Sequence, residues 1–269
     1  MVVPSDYLSS LTSGAILGFV SWFPVGPGGR AVTSLLEALA PGYSSYVVPA
    51  YLGIVFSLIF HLRDWIARAV QGVLTGRSGS EVRYFLYASA FTVLVGYPII
   101  RGLETVLNPG SSDLLNAAVG AVLVITGVFG GRVMSLLAGV EDRLREDPDE
   151  PTFLDSLISG LLQGLSFVGD VSRSGLVLLG LSGTGIDVER ALELSFLIAP
   201  TYLVMKLVSL GRWEPGLGVT LLFAAFLSSF AVSLLTIRLL LRGARALGRG
   251  FLVPYGSVAI VFYLMGVMM

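Results

Sequence analysis

Between residues 160 and 175 the chain reads GLLQGLSFVGDVSRSG. Asp170, Ser172, Arg173 and Ser174 stand close together there, flanked by Gly169 and Gly175, inside an otherwise apolar stretch. A guanidinium beside hydroxyls, with small residues that let backbone amides approach, is a receptor for phosphate or carboxylate. An arginine at the bilayer centre costs roughly 2.5–3.5 kcal/mol on insertion scales, so it stands there with a partner or a task. Two readings are open. Arg173 binds an anionic ligand with support from Ser172, Ser174 and Gly175, or it pairs with Asp170 three residues earlier and closes the loop as structure.

A related stretch occurs earlier. Setting each residue against the one 146 positions later aligns SGAILGFVSWFPVGPGGR (13–30) with SGLLQGLSFVGDVSRSGL (159–176). Ser13/Ser159, Gly14/Gly160, Gly18/Gly164, Val25/Val171 and Gly29/Gly175 coincide without a gap. Arg30 ends the first copy, preceded by Gly28 and Gly29, whose amides are open to an anion; it either supplies a second positive charge or snorkels to an interface. Pro24, Gly26, Pro27, Gly28 and Gly29 break any helix there, and broken backbone survives at membrane depth only where protein or water satisfies it. The expected geometry is a re-entrant helical hairpin in each half, 8–40 and 153–182.

These loops need a membrane scaffold, and composition supplies one. The chain has 269 residues, 54% hydrophobic and 13% charged, with mean hydropathy +0.84. Apolar runs at 46–61, 84–100, 114–129, 191–210, 217–237 and 251–269 are continuous, which suits helices rather than barrel strands. The expected fold is an all-α polytopic membrane protein with six transmembrane helices and two re-entrant hairpins. Three spans follow each hairpin, so 1–145 and 146–269 read as inverted repeats forming one membrane domain. Residues 1–25 lack a basic region and a small-residue cleavage site, so the first apolar run is expected to remain.

With alternating spans, one face carries Arg63, Arg68, Arg77, Arg83, Arg132, Arg143, Arg145, Arg190, Arg238, Arg242, Arg245 and Arg249. The other carries Arg101, Arg212 and Lys206. This bias puts the first face in the cytoplasm and both termini outside, in a multi-pass plasma-membrane protein. The acidic run 141–151 reads as a solvated linker. A net charge of −1 gives no basis for a nucleic-acid partner. There is no cysteine and one histidine, His61, so a cysteine- or histidine-built metal site is excluded, and few intramembrane carboxylates remain for a divalent ion. Neither a metal nor a cofactor is expected. His61 and Glu37 read as residues near span ends. Glu193 either faces the site or pairs with Arg190. Gly120 and Gly127 suit helix contacts within one chain or in a homo-oligomer.

The residues from Gln163 to Val177, with Ser172, Arg173, Ser174 and Gly175, resemble the motif Q-x-L-x-x-x-P-G-x-S-R-S-G-x-T of the undecaprenyl-diphosphate phosphatase (bacitracin-resistance) family. ELSFLIAPT (193–201) is similar to the segment that follows it, and YLGIVFSLIF (51–60) and FLVPYGSVAI (251–260) correspond more loosely. The resemblance implies six spans, two re-entrant hairpins and hydrolysis of a polyprenyl diphosphate. The family's first motif, E-G-x-x-E-F-x-P-V-S-S-x-G-H, is matched here by LGFVSWFPVGPGGR (17–30). Gly18, Pro24, Val25 and Gly29 fit, but Leu17 and Ser21 replace the glutamates, Gly26 and Pro27 the serines, and Arg30 the histidine. In the second motif Gly169-Asp170 replaces Pro-Gly, and Val177 the threonine.

Phosphoryl transfer needs charge stabilisation, a nucleophile or positioned water, and a base or metal. Only the first survives at the first motif. The expected function is therefore binding of a polyprenyl phosphate or diphosphate headgroup between the two tips, for translocation or recycling of the lipid. Arg173, Ser172, Ser174, Gly175, Arg30, Gly28 and Gly29 form the phosphate site, with Gln163 and Glu193 behind it. The alternative is a hydrolase whose chemistry has moved to Asp170 and Ser174.

Overall fold

The computed structural model describes residues 4–77, 79–102, 108–141, 150–210 and 218–268, and the side chains of all of these except 4 and 131–141. The linker 142–149 with Arg143 and Arg145, the Arg132 side chain and Arg212 therefore lie outside the described residues. The described chain is helical, with no strand among the described residues. Helices α1 (Pro4–Val20) and α2 (Arg30–Leu39) form the arms of the first hairpin. They are followed by α3 (Val47–Leu74), α4 (Ser80–Gly102) and α5 (Pro109–Glu141). Helices α6 (Phe153–Leu165) and α7 (Arg173–Gly183) form the second hairpin, followed by α8 (Val188–Ser209), α9 (Val219–Leu247) and α10 (Leu252–Met268).

Local chemistry explains these bounds. Thr152 and Asp155 exchange the bonds of a capping box that starts α6 directly after Pro151. Ser172 caps α7 by accepting from Gly175 N at 3.2 Å. Helices α3 and α9 run well past the apolar runs that predict them, to Leu74 and Leu247. Charge ends an apolar run, but a helix ends where its backbone turns, here at Gly76 and Gly248, both with positive φ. Helix α1 likewise begins at Pro4, ahead of the apolar arm that starts at residue 8.

Five segments are long and apolar enough to cross a membrane: Tyr43–Leu74, Ser80–Gly102, Pro109–Gly130, Val188–Ser209 and Val219–Met268. The last contains both α9 and α10, joined by a short 3-10 turn. The chain is a multi-pass, all-α membrane protein.

The two hairpins are braced in corresponding ways. Helix α1 packs on α9, and α6 on α4; α3 packs on α9, and α8 on α4; α2 meets α10, and α7 meets α5. Gly14 lies against the Ala225 carbonyl of α9, and Gly160 against the Ala88 carbonyl of α4, so neither has room for a Cβ. At the crossing of α5 and α10, Gly120 and Gly256 each face the carbonyl oxygen of the other. Gly127 packs on Leu252 and Val253, so both of these glycines serve contacts within the chain.

Candidate functional site at the paired hairpin tips

The tips of the two hairpins, residues 21–29 and 166–172, are tied together directly. Ser172 and Ser174 both donate to the carbonyl of Phe23, at 2.9 and 2.8 Å. Gly175 lies against Pro24. The two hydroxyls expected on a phosphate thus hold one tip to the other.

Helix α5 fastens both tips from the side. Its first turns carry Ser112, Asp113 and Asn116, all buried in an otherwise apolar span. Ser112 donates to Gly169 O. Asn116 accepts from Ser172 N at 2.7 Å and donates to Asp170 O at 3.5 Å. Asp113 serves the other tip. Gly29 is the N-cap of α2 and has no side chain to cap it, so Asp113 Oδ2 accepts from Ala31 N at 3.3 Å instead. A carboxylate at a helix N-terminus satisfies free amides and the positive end of the dipole.

Of the two amides expected to face an anion, that of Gly29 donates to Gly26 O at 3.0 Å. A Cβ on Gly28 would overlap the Asp170 carboxylate, and one on Gly29 the Asp113 carboxylate. Arg30, which begins α2 beside Asp113, is exposed, whereas Arg173 is 4% exposed, so the two arginines are not the matched pair expected from the sequence.

Asp170 does not pair with Arg173. Its Oδ1 lies 3.0 Å from Nζ of Lys206, on α8, the one lysine in the chain. The reason is local. Asp170 has φ +58 and precedes the helix that begins at Arg173, so the three-residue spacing does not place the two side chains on one helical face. No hydrogen bond joins Asp170 to Ser174.

Arg173 instead enters a pocket of aromatic rings and backbone. Its guanidinium carbon lies 5.5 Å from the Trp22 ring centroid and 5.9 Å from that of Tyr202. Nη1 donates to Ser195 O at 2.9 Å, while Nη2 is buried with no partner. The Ser195 hydroxyl and the Gln163 side-chain oxygen Oε1 are also buried without partners. Gln163 Nε2 donates to Thr92 Oγ1 and to Ile198 O, one turn along α8 from Ser195. Trp22 is fixed by its bond to Ser233 at 2.8 Å, and Tyr255 donates to Trp22 O. Glu193 lies apart, 3.1 Å from Arg190, which also binds Glu81 at 2.6 Å. Glu37 is exposed and His61 half-buried.

What this arrangement can do chemically is hold an anion. It presents a buried guanidinium with a free donor edge, aromatic faces and a free hydroxyl, without a carboxylate on the arginine. Sequence reasoning missed Tyr202, passed over Trp22 and Ser195 although both lie in the motif-like stretches 17–30 and 193–201, and missed Asp113, Asn116 and Lys206. The last three had a signal, since each is a polar residue within an apolar span.

The chain is similar to known proteins over most of its length. A protein of Methanopyrus kandleri named undecaprenyl-diphosphatase is 26% identical over 249 residues, covering 89% of each chain. One of Haloarcula marismortui with the same name is 28% identical over 271 residues, 97% of this chain and 96% of its own. An undecaprenyl-diphosphatase 2 of Burkholderia thailandensis is 28% identical over 260 residues, 89% and 88%. The family model described as bacitracin resistance protein BacA matches residues 10–263, nearly the whole described fold, and the chain belongs to that family.

Proposed function

We propose that this protein binds the phosphate or diphosphate headgroup of a polyprenyl carrier lipid beside its paired tips, to translocate or recycle that lipid, without hydrolysing it. The observation that carries this reading is Arg173, 4% exposed, with a free Nη2 and no acidic partner. A buried cation without a counter-charge is costly, and a phosphate supplies both charge and acceptor oxygens. The lipid class is taken from the names of the relatives.

The absence of hydrolysis rests on where the polar groups point. Leu17, Ser21, Gly26, Pro27 and Arg30 stand where the resembled motif has carboxylates, serines and a histidine. Ser172 and Ser174 donate to Phe23 O, and Asp170 is paired with Lys206, so neither serine has a base. In this reading Arg30 draws the anion in rather than gripping it, and Gln163 steadies α8 behind Arg173.

The chain is further read as two inverted repeats, 1–145 and 146–269, with six spans. The corresponding bracing of the two hairpins supports this, as do Gly14 and Gly160 on equivalent carbonyls. The arginine-rich face, where Arg190–Glu81 and Arg245–Glu189 join α8 to α4 and α9, is assigned to the cytoplasm, with both termini outside the plasma membrane.

The test is equilibrium binding of a polyprenyl phosphate and diphosphate to purified protein. Arg173→Ala is expected to weaken binding about 30-fold or more, as when one partner of a buried charged pair is lost. Equal binding by the variant removes Arg173 from the site.

A further inference from the structure

The geometry points to a second anion site, for the headgroup of an anionic phospholipid, in the recess between the end of α3 and the turn into α4. It is independent of the tips. The recess has a volume of about 530 Å³ and is lined by Arg68, Gln71, Gly72, Thr75 and Arg77. Among the described residues neither Arg68 nor Arg77 has an ion-pair partner, and both are exposed.

The chain builds this arrangement in detail. Gly76, with φ +70, ends α3 in a Schellman motif: Arg77 N donates to Gly72 O at 2.8 Å, and Gly76 N to Val73 O at 3.2 Å. The return brings the Arg77 carbonyl so close to Gly72 that a Cβ there would sit 2.9 Å from it. Arg77 is thereby folded back toward the helical stripe of Arg68, Gln71 and Thr75. Thr75 Oγ1 donates to Gln71 O at 2.9 Å. The last carbonyls of α3 are thus already bonded, so the two guanidiniums are not needed as caps.

A lipid fits this place better than a free ion. Helix α3 has 28 residues, about 42 Å at 1.5 Å per residue, against a hydrocarbon core of about 30 Å. Its last turns therefore reach the headgroup layer. The outward face of those turns, bordering the cationic stripe, is apolar and exposed, at Val70, Val73 and Leu74. Acyl chains against that face and a phosphate between the arginines match the two stripes together. The adjoining recess of about 380 Å³ adds Trp65, Glu81, Glu150 and Arg190 to Arg68 and Arg77. Glu81 is already held by Trp65 Nε1 at 2.7 Å and by Arg190, and Glu150 makes no ion pair with either Arg68 or Arg77.

The experiment is native mass spectrometry of the full chain in detergent, with added phosphatidylglycerol, phosphatidylcholine or inorganic phosphate. Phosphatidylglycerol is expected to be retained over phosphatidylcholine. Arg68→Gln/Arg77→Gln should weaken retention on the order of 30-fold, from about fivefold for each surface arginine. Arg249→Gln, on an exposed arginine elsewhere, and Arg173→Ala, at the tips, should leave it unchanged. Arg68→Lys/Arg77→Lys should keep most of it, which separates lost charge from a folding defect. Equal retention of both lipids, or undiminished retention by the glutamine variant, overturns the proposal. So does competition by inorganic phosphate alone, which would make the recess a site for a free anion.

Discussion

Lys206 Nζ lies 3.0 Å from Asp170 Oδ1, and this ion pair takes up the only acid near Arg173 in sequence. The lysine comes from α8 and the aspartate from the second hairpin tip, so the bond fixes the tip to a full-length helix. Arg173 is left with a backbone carbonyl and two aromatic rings.

Removing one member of this pair should be worse than removing both. Lys206→Met leaves the Asp170 carboxylate uncompensated, and a loss of about 2–4 kcal/mol is expected, somewhat below a fully buried pair because Asp170 is partly exposed. Adding Asp170→Asn, a residue that tolerates the left-handed backbone, should recover much of it. Thermal unfolding of the three variants in detergent checks this. Additive losses would show that the two side chains are not coupled.

The serines of the second tip should behave as structural ties. Ser174→Ala removes a bond to Phe23 O and should cost about 1 kcal/mol, and Ser172→Ala removes another together with the cap of α7, for about 2 kcal/mol. The double variant leaves that carbonyl without either donor, while lipid binding should fall much less than in Arg173→Ala. A collapse of binding in Ser174→Ala, with the melting temperature unchanged, would make that hydroxyl a ligand instead.

The crossing of α5 and α10 should tolerate no added atom. A Cβ on Gly120 would lie 2.5 Å from Gly256 O, so Gly120→Ala must push two backbones apart, at a cost of about 1–3 kcal/mol. Gly130→Ala, on the same helix and against only Thr126 Cγ2 at 3.5 Å, should be neutral or slightly stabilising. Similar melting temperatures for the two variants would contradict the close crossing.

Asp113 should matter through α2. Asp113→Asn weakens the cap on Ala31 N and the charge at the helix start, with about 1 kcal/mol expected. Hydrogen exchange at 31–33 is the direct readout, and unchanged protection there would remove Asp113 as the cap.

Much of this was legible from spacing, for definite reasons. Pro24 through Gly29 cannot be helical, so the first tip is visible without a structure, and Gly14/Gly160 mark where arms approach other helices. The partners of the tips were not legible. Asp113, Asn116, Ser195 and Lys206 lie on distant spans, and only packing decides which helical face meets a tip. The expected Asp170–Arg173 alternative failed. It assumed that sequence neighbours share a direction, whereas Asp170 turns through a left-handed backbone.

The most direct measurement is phosphate release from a polyprenyl diphosphate in a single turnover, with bound lipid quantified in the same samples, for the natural protein and Arg173→Ala. Lipid bound without phosphate release, and lost in the variant, is the expected result. Phosphate released by the natural protein and abolished by Arg173→Ala would contradict it, and would mean that the second tip carries out hydrolysis.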